Sequence, residues 1–273
     1  MKIINLVEDT KGNSPCGYEH GLSFYVETEK HKLLMDCGAT DLFMKNANIL
    51  GIDLTQVDTV VLSHGHYDHS GGILPFSKVN KKAKIYMKDT AGEDYYHISS
   101  KVEKYIGIHK DILKLSQCEF VTGEKELDEE LFLFSNITGT KYAVKGNLQL
   151  KKKVGDDFFQ DVFDHEQCLV ISQEGKKILM SGCAHNGIIN ILDRYYELLG
   201  EYPDVVISGF HMMQKDAYTK EDISNIEQIG KVLLETGAMF YSGHCTGQPA
   251  YDILKGIMGE TLQPIHSGES ILL

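Results

Sequence analysis

The sequence contains no tryptophan and only five prolines among its 273 residues. It has no apolar run of the roughly 18–20 residues that a membrane-crossing helix requires. The opening MKIINLVEDTKG lacks the long apolar stretch and small-residue cleavage site of a secretory signal. These absences predict a cytoplasmic protein with no membrane partner. Basic charge is also scarce: 27 Lys and Arg face 39 Asp and Glu, a net charge of −12. A general nucleic-acid binder needs the opposite balance, so no nucleic-acid partner is expected. The six cysteines, Cys16, Cys37, Cys118, Cys168, Cys183 and Cys245, include no CxxC pair and read as free thiols. No GxxxxGK[ST] loop is present to cradle phosphates. No Pro/Gly/Ser-rich linker divides the chain. Residues 1–273 are therefore expected to form a single domain, with a less regular excursion around 91–165 that reads as surface structure or a lid over a site.

What is present is an alternation of strands and helices. Runs at 22–28 and 31–38 suit a hairpin. Residues 41–50 suit a short helix capped by Asp41 and ended at Gly51. Strands are expected at 57–63 and 83–89, and KDILKL (110–115) looks helical. A second hairpin should turn at Glu174-Gly175. Helices over 187–200, 221–237 and 248–259 then alternate with strands at 204–210 and 238–243, and QPIHSGESILL reads as a closing strand. This order gives an α/β class. Four strands run directly into ligand-type residues: VVLS into His64, ILMSG into Cys183 and His185, VVISGF into His211, and MFYSG into His244. The crevice outside strand carboxyl ends is where open α/β sheets bind ligands, so these distant residues are expected to share one site.

The densest chemistry lies in SHGHYDHSGG (63–72). Three imidazoles within six residues repel one another when protonated, and a metal ion would keep them neutral and convergent. Alternate residues of an extended loop let His64 and His66 share one ion. Asp68 and His69 fall on the next turn and can face a second. Gly65, Gly71 and Gly72 permit a sharp backbone path.

HGHYDH resembles the HxHxDH motif of the metallo-β-lactamase superfamily. LLMDCG resembles its strand ending in Asp-x-Gly, which implies that Asp36 supports the metal loop from behind. EHGLSF, SGCAHNGIIN, GFHM and GHCTG resemble the branch of dihydropterin-ribofuranosylaminobenzene-phosphate synthase-like proteins and metal-dependent hydrolases. The resemblance implies a four-layer αββα sandwich and two divalent metals, with Zn first and Mn or Fe as alternatives. His64 and His66 match ligands of the first ion, Asp68 and His69 of the second, and His244 the last histidine. The sequence departs from the common pattern where Cys183 stands in place of a bridging Asp. The remaining histidine ligand is either His185 or His165, and His185 is preferred because it follows a strand end. Cys183 is a possible thiolate ligand. Asp68 and His211 are the expected catalytic residues, and His20 and His211 the expected substrate contacts.

Hydrolysis of a small, phosphorylated or otherwise anionic substrate by a metal-activated water is the leading expectation. A pterin-transferring synthase is the alternative, with lysines near 145–153 as a phosphate clamp. A third reading is a non-catalytic, metal-dependent small-molecule sensor. Di-iron oxygen reduction is disfavoured, because such relatives carry Glu where Asp68 stands and an attached flavin domain. A small-molecule substrate and a possible homo-oligomer complete the expected partners.

Overall fold

The computed structural model describes residues 1–142 and 144–271. Its central strands are apolar at successive positions and so need cover on both faces. In Val205–Ile207, Val205 and Ile207 join a core shared between two sheets, while Val206 packs with helices. In Thr59–Val61, Val61 joins that same inter-sheet core and Val60 packs with helices on the other side.

Among the described residues there are two seven-stranded sheets. The first runs in spatial order Ser270–Ile271, Lys2–Val7, Ser23–Glu27, Lys32–Met35, Thr59–Val61, Lys84–Lys88, Cys118–Val121. The second runs Leu262–Pro264, Met239–Ser242, Val205–Ile207, Lys176–Met180, Cys168–Gln173, Leu131–Phe134, Lys125–Glu126. Each sheet has an antiparallel part and a parallel part. Parallel pairing links Lys32–Met35 through to Cys118–Val121, and Lys176–Met180 through to Leu262–Pro264.

Helices cover the outer faces. α1 (Leu42–Ile49), α2 (Tyr67–Ser70) and α3 (Ile73–Val79) lie by the first sheet, where Phe43, Ala47, Ile73 and Phe76 pack on Leu34, Val60 and Ile85. α4 (Ile188–Leu199), α5 (Lys220–Glu235) and α6 (Gln248–Met258) cover the second, with Ile191, Leu192, Leu233 and Leu254 on Leu179, Val206 and Phe240. Full burial of each such side chain contributes about 1.5–3 kcal/mol. The result is the expected αββα sandwich. α5 starts on a capping box: Thr219 and Asp222 exchange side-chain and backbone hydrogen bonds.

Three local expectations need correction. KDILKL forms only a 3-10 turn, Lys110–Lys114, entered through His109, whose Nδ1 accepts the Asp111 amide. The closing strand is two strands in different sheets. Leu262–Pro264 extends the second sheet, Gly268 turns the chain in the left-handed region (φ +80°), and Ser270–Ile271 pairs with Lys2–Val7. Ser267 holds this crossover, donating to the Glu8 carbonyl and accepting from the Glu8 amide. The lysines of the 145–153 stretch are engaged. Lys145 pairs with Asp222, Lys151 donates to Gln160, Lys152 pairs with Glu93 and Asp164, and Lys153 lies by the Tyr96 and Phe158 rings. Lys151, Lys152 and Lys153 belong to a four-stranded sheet, Asp157–Gln160, Leu150–Val154, Asp94–Ile98, Glu103–Tyr105, built from the 91–165 excursion. Its Tyr95 ring lies 4.0 Å from His165, beside the histidine cluster. Among the described residues no helix is long and apolar enough to cross a membrane.

Candidate metal centre

The parallel strands of both sheets end on one side of the sandwich. Asp36 follows Lys32–Met35, His64 follows Thr59–Val61, Cys183 and His185 follow Lys176–Met180, His211 follows Val205–Ile207, and His244 follows Met239–Ser242. Asp36, Ala184, His211 and His244 all take left-handed backbone (φ +60°, +53°, +48° and +49°), uncommon for residues other than glycine. The glycines of the histidine loop serve close approach and not left-handed backbone. A Cβ at Gly65 would lie 2.5 Å from the Ala91 carbonyl oxygen, and one at Gly71 or Gly72 would overlap the Ala39 or Cys37 carbonyl.

The rings of His64, His66 and His185 form a triangle with centroids 4.5, 4.8 and 4.8 Å apart. Next to it, Asp68 Oδ2 lies 3.8 Å from His69 Nε2 and 3.7 Å from His244 Nε2. The two groups touch, since the His64 and His69 rings are 4.2 Å apart. Cys183 sits between them. Its Sγ is 3.2 Å from His69 Nε2, and it shares 4.8 Å neighbourhoods with His64 and His185 and with His69 and His244.

The acceptors around these rings fix which nitrogen faces inward. His69 Nδ1 donates to Asp36 Oδ2 at 2.6 Å. His64 Nδ1 donates to Ser63 Oγ, which donates onward to Asp36 Oδ2. His185 Nδ1 donates to Asn147 Oδ1, and His244 Nδ1 to Asp9 Oδ1. The Nε2 atoms of His64, His66, His185 and His244 are buried without a hydrogen-bond partner. Buried polar atoms rarely stay unpaired, and a carboxylate or amide behind the ring is the usual support of a metal-bound imidazole. The donor set therefore fits divalent cations.

The electrostatics agree at His64, His66 and His185, which stay neutral, whereas His244 and Cys183 each have to give up a proton to hold a cation. Burial, with the other imidazoles adding to it, holds His64 and His185 well below the usual range and brings His66 to about 3. Burial alone would raise Asp68, but His69, His244 and His66 pull it down to about 2. Burial likewise opposes charge on His244, yet Asp9 and Asp68 raise it to about 10. Burial pushes the Cys183 thiol up.

His165 adjoins the cluster, its ring 5.3 Å from that of His66, but is held differently. Its Nδ1 accepts the Gly65 amide and its Nε2 donates to Asp161, so both nitrogens are in use. His211 packs 4.1 Å from His185, and its amide meets Cys245 Sγ at 3.3 Å. His20 is half-exposed; its Nδ1 is 2.8 Å from Asp9 and its Nε2 3.4 Å from Asp68. The sequence reading missed Asp9, Asn147 and Glu166. Glu166 is buried and accepts the His185 and Asn186 amides and the Asn186 side chain, pinning the SGCAHNG turn. Only their closeness in space marks these three.

The sequence profile described as the metallo-beta-lactamase superfamily matches residues 17–221. The chain belongs to the metallo-β-lactamase superfamily. Within it, the chain is 29% identical to 7,8-dihydropterin-6-methyl-4-(beta-D-ribofuranosyl)-aminobenzene-5'-phosphate synthase of Methanocaldococcus jannaschii, over 99% of this chain and 96% of that one. Among solved structures it resembles Tm1679, a metal-dependent hydrolase of the beta-lactamase superfamily. That match has 29% identity and a TM-score of 0.82, covering 100% of this chain and 99% of the other. Zn2+-bound PqqB from Methylobacterium extorquens shares the fold, with a TM-score of 0.57 at 11% identity and full coverage of both chains.

Proposed function

We propose that this superfamily member is a metal-dependent hydrolase with two cation positions. His64, His66 and His185 would hold one, Asp68, His69 and His244 the other, with Cys183 between them. The observation that carries the reading is the set of four buried Nε2 atoms without partners, three of them on rings whose Nδ1 is already committed. A mixed N/O/S donor set suits Zn first, with Mn or Fe as alternatives. Bound there, the cations would supply Lewis acidity and ionise water near neutral pH. The remaining work falls to the chain. Asp68 orients the nucleophile and accepts its proton. His211, beside His185, contacts the leaving group and protonates it. The surrounding imidazoles exclude bulk water. The six cysteines are free in the structure, which agrees with a reducing compartment such as the cytoplasm.

Group transfer is the second reading. It is favoured by the near full-length similarity to the synthase and by Cys183 standing where a bridging carboxylate was expected. Elemental analysis of protein purified without chelator tests the centre, with two equivalents per chain expected. His66→Ala and His244→Ala should each lose metal, and full retention by either would overturn its assignment. A two-metal protein that hydrolyses no phosphodiester, ester or lactone would refute the hydrolase reading in favour of transfer.

A further inference from the structure

Cys245 takes no part in the proposed centre, yet it stands against Cys183, which does. The two cysteines follow the strands Met239–Ser242 and Lys176–Met180, and the strand between those two, Val205–Ile207, leads to Gly209. Both cysteines are buried. Their Sγ atoms and a ring nitrogen of His211 all lie within 4.8 Å of one another. The Cys245 thiol points at the Cys183 carbonyl oxygen, 3.7 Å away, and its sulfur accepts the His211 amide at 3.3 Å. A Cβ at Gly209 would fall 2.6 Å from Cys245 Sγ and 3.6 Å from Cys183 Cα, so glycine keeps the ground between the two cysteines free of a side chain.

Two thiols this close can be joined by a change of rotamer, since a disulfide needs its sulfurs at about 2.05 Å. A cation held by the same three groups would share Cys183 with both proposed positions and stand close to each, a repulsion that a covalent bond does not meet. The oxidant has to be small. Beside the cysteines, a pocket of about 70 Å3 lined by His211 is partly open to solvent, with room for a few molecules the size of water or hydrogen peroxide. In the reaction one sulfur attacks a peroxide oxygen, the O–O bond breaks, and a sulfenic acid and one water form. The second sulfur displaces the hydroxyl of that sulfenic acid, which leaves as another water with the thiol proton. Two thiols and one peroxide thus become one disulfide and two waters, with two electrons passing from sulfur to oxygen.

We propose that Cys183 and Cys245 are a modification site for a peroxide-class oxidant, and that their disulfide turns the neighbouring centre off by withdrawing Cys183 from the cations. The second part rests on the reading of Cys183 as standing between two cation positions, with its Sγ 3.2 Å from His69 Nε2. A sulfur tied in a disulfide has no thiolate to offer a metal. Disulfides of reducing compartments are transient and serve redox sensing, which fits two thiols that are free in the structure. Cation-loaded protein is treated with hydrogen peroxide, digested without reductant and analysed by mass. A peptide linked through Cys183 and Cys245 is expected, with two of the six free thiols lost. Cations should leave the oxidised protein at least about tenfold faster in dialysis, and dithiothreitol should reverse both changes. Cys245→Ser, whose hydroxyl can still accept the His211 amide, should keep its cations under the same treatment. Absence of the linked peptide overturns the site, and it is read on the parent protein whatever the stability of the variant. A linked peptide without faster cation loss, or equal loss from Cys245→Ser, overturns the switch. Elemental analysis of untreated protein judges the two-cation reading separately; if that reading fails while the linked peptide forms, the modification site stands.

Discussion

Asp36→Asn tests whether the residue behind the histidines sets their function. The wild-type carboxylate is fully buried and takes three hydrogen bonds: from the Ser63 amide at 2.7 Å, Ser63 Oγ at 2.7 Å and His69 Nδ1 at 2.6 Å. An amide of the same shape keeps one oxygen, which the Ser63 amide retains. The new NH2 group then faces Ser63 Oγ and His69 Nδ1, and both must become acceptors. For His69 this moves the proton to Nε2, the atom that faces Asp68 and Cys183. For Ser63 it disturbs the hydroxyl that receives His64 Nδ1. A hydrogen bond to a charged group contributes about 1.5–3 kcal/mol, and two are replaced by weaker neutral ones, so metal-free stability should fall by about 2–4 kcal/mol. Loss of the group behind a ligating histidine should also weaken cation binding by roughly 10–100-fold. Urea unfolding of chelated protein reads the first effect, and competition with a chromophoric chelator reads the second. A variant that loses stability but binds cations as tightly as the parent would refute the orienting role.

Three further outcomes are expected. His185→Ala should lose cation equivalents, whereas His165→Ala should keep them and lose about 1–3 kcal/mol of stability, because the Gly65 amide and Asp161 lose their partner; the reverse pattern in elemental analysis would exchange the two roles. Cys183→Ala should retain cations roughly tenfold less well through dialysis, while Cys183→Asp should restore retention; equal retention by parent and Cys183→Ala would show that the sulfur plays no part. His31 is held between Asp58 and Asp128 at 2.9 and 2.5 Å; burial lowers its pKa, but the two carboxylates outweigh this and raise it above the ordinary value of about 6.5. Its contribution is therefore fully present below that value and is lost as pH rises through the raised one, so His31→Gln should destabilise the chain more at about pH 5 than at about pH 9 in thermal unfolding. An equal loss at both would refute the ion pairing.

The sandwich and the histidine cluster were legible because each leaves a local trace. Apolar runs ending in His or Cys mark parallel strands and their carboxyl ends together, and HGHYDH packs its ligand types into six residues. Apart from Asp36, which ends a strand in LLMDCG, the supporting residues leave no such trace. Asn147 meets His185 from a 3-10 turn in the least regular stretch, and Asp9 meets His244 across 235 residues of chain. Pairing of Asp94–Ile98 with Leu150–Val154 is equally non-local, so no periodicity announces it. The preference for His185 over His165 rested on a strand end, and the structure adds a physical reason: both nitrogens of His165 are occupied.

The division of the two proposed ligand sets between the sheets would have a consequence for how the chain matures. His64 and His66 stand on the first sheet and His185 on the second; Asp68 and His69 stand on the first and His244 on the second. A growing chain therefore displays most of each set long before the residue that completes it has been made. On that proposal the nascent half would hold a cation only loosely, and firm uptake would wait for the second sheet, through His185 for one set and His244 for the other. Because binding to a site absent from the unfolded chain adds its free energy to folding, the cations would act as rivets driven last, closing the seam between two halves that were already laid face to face.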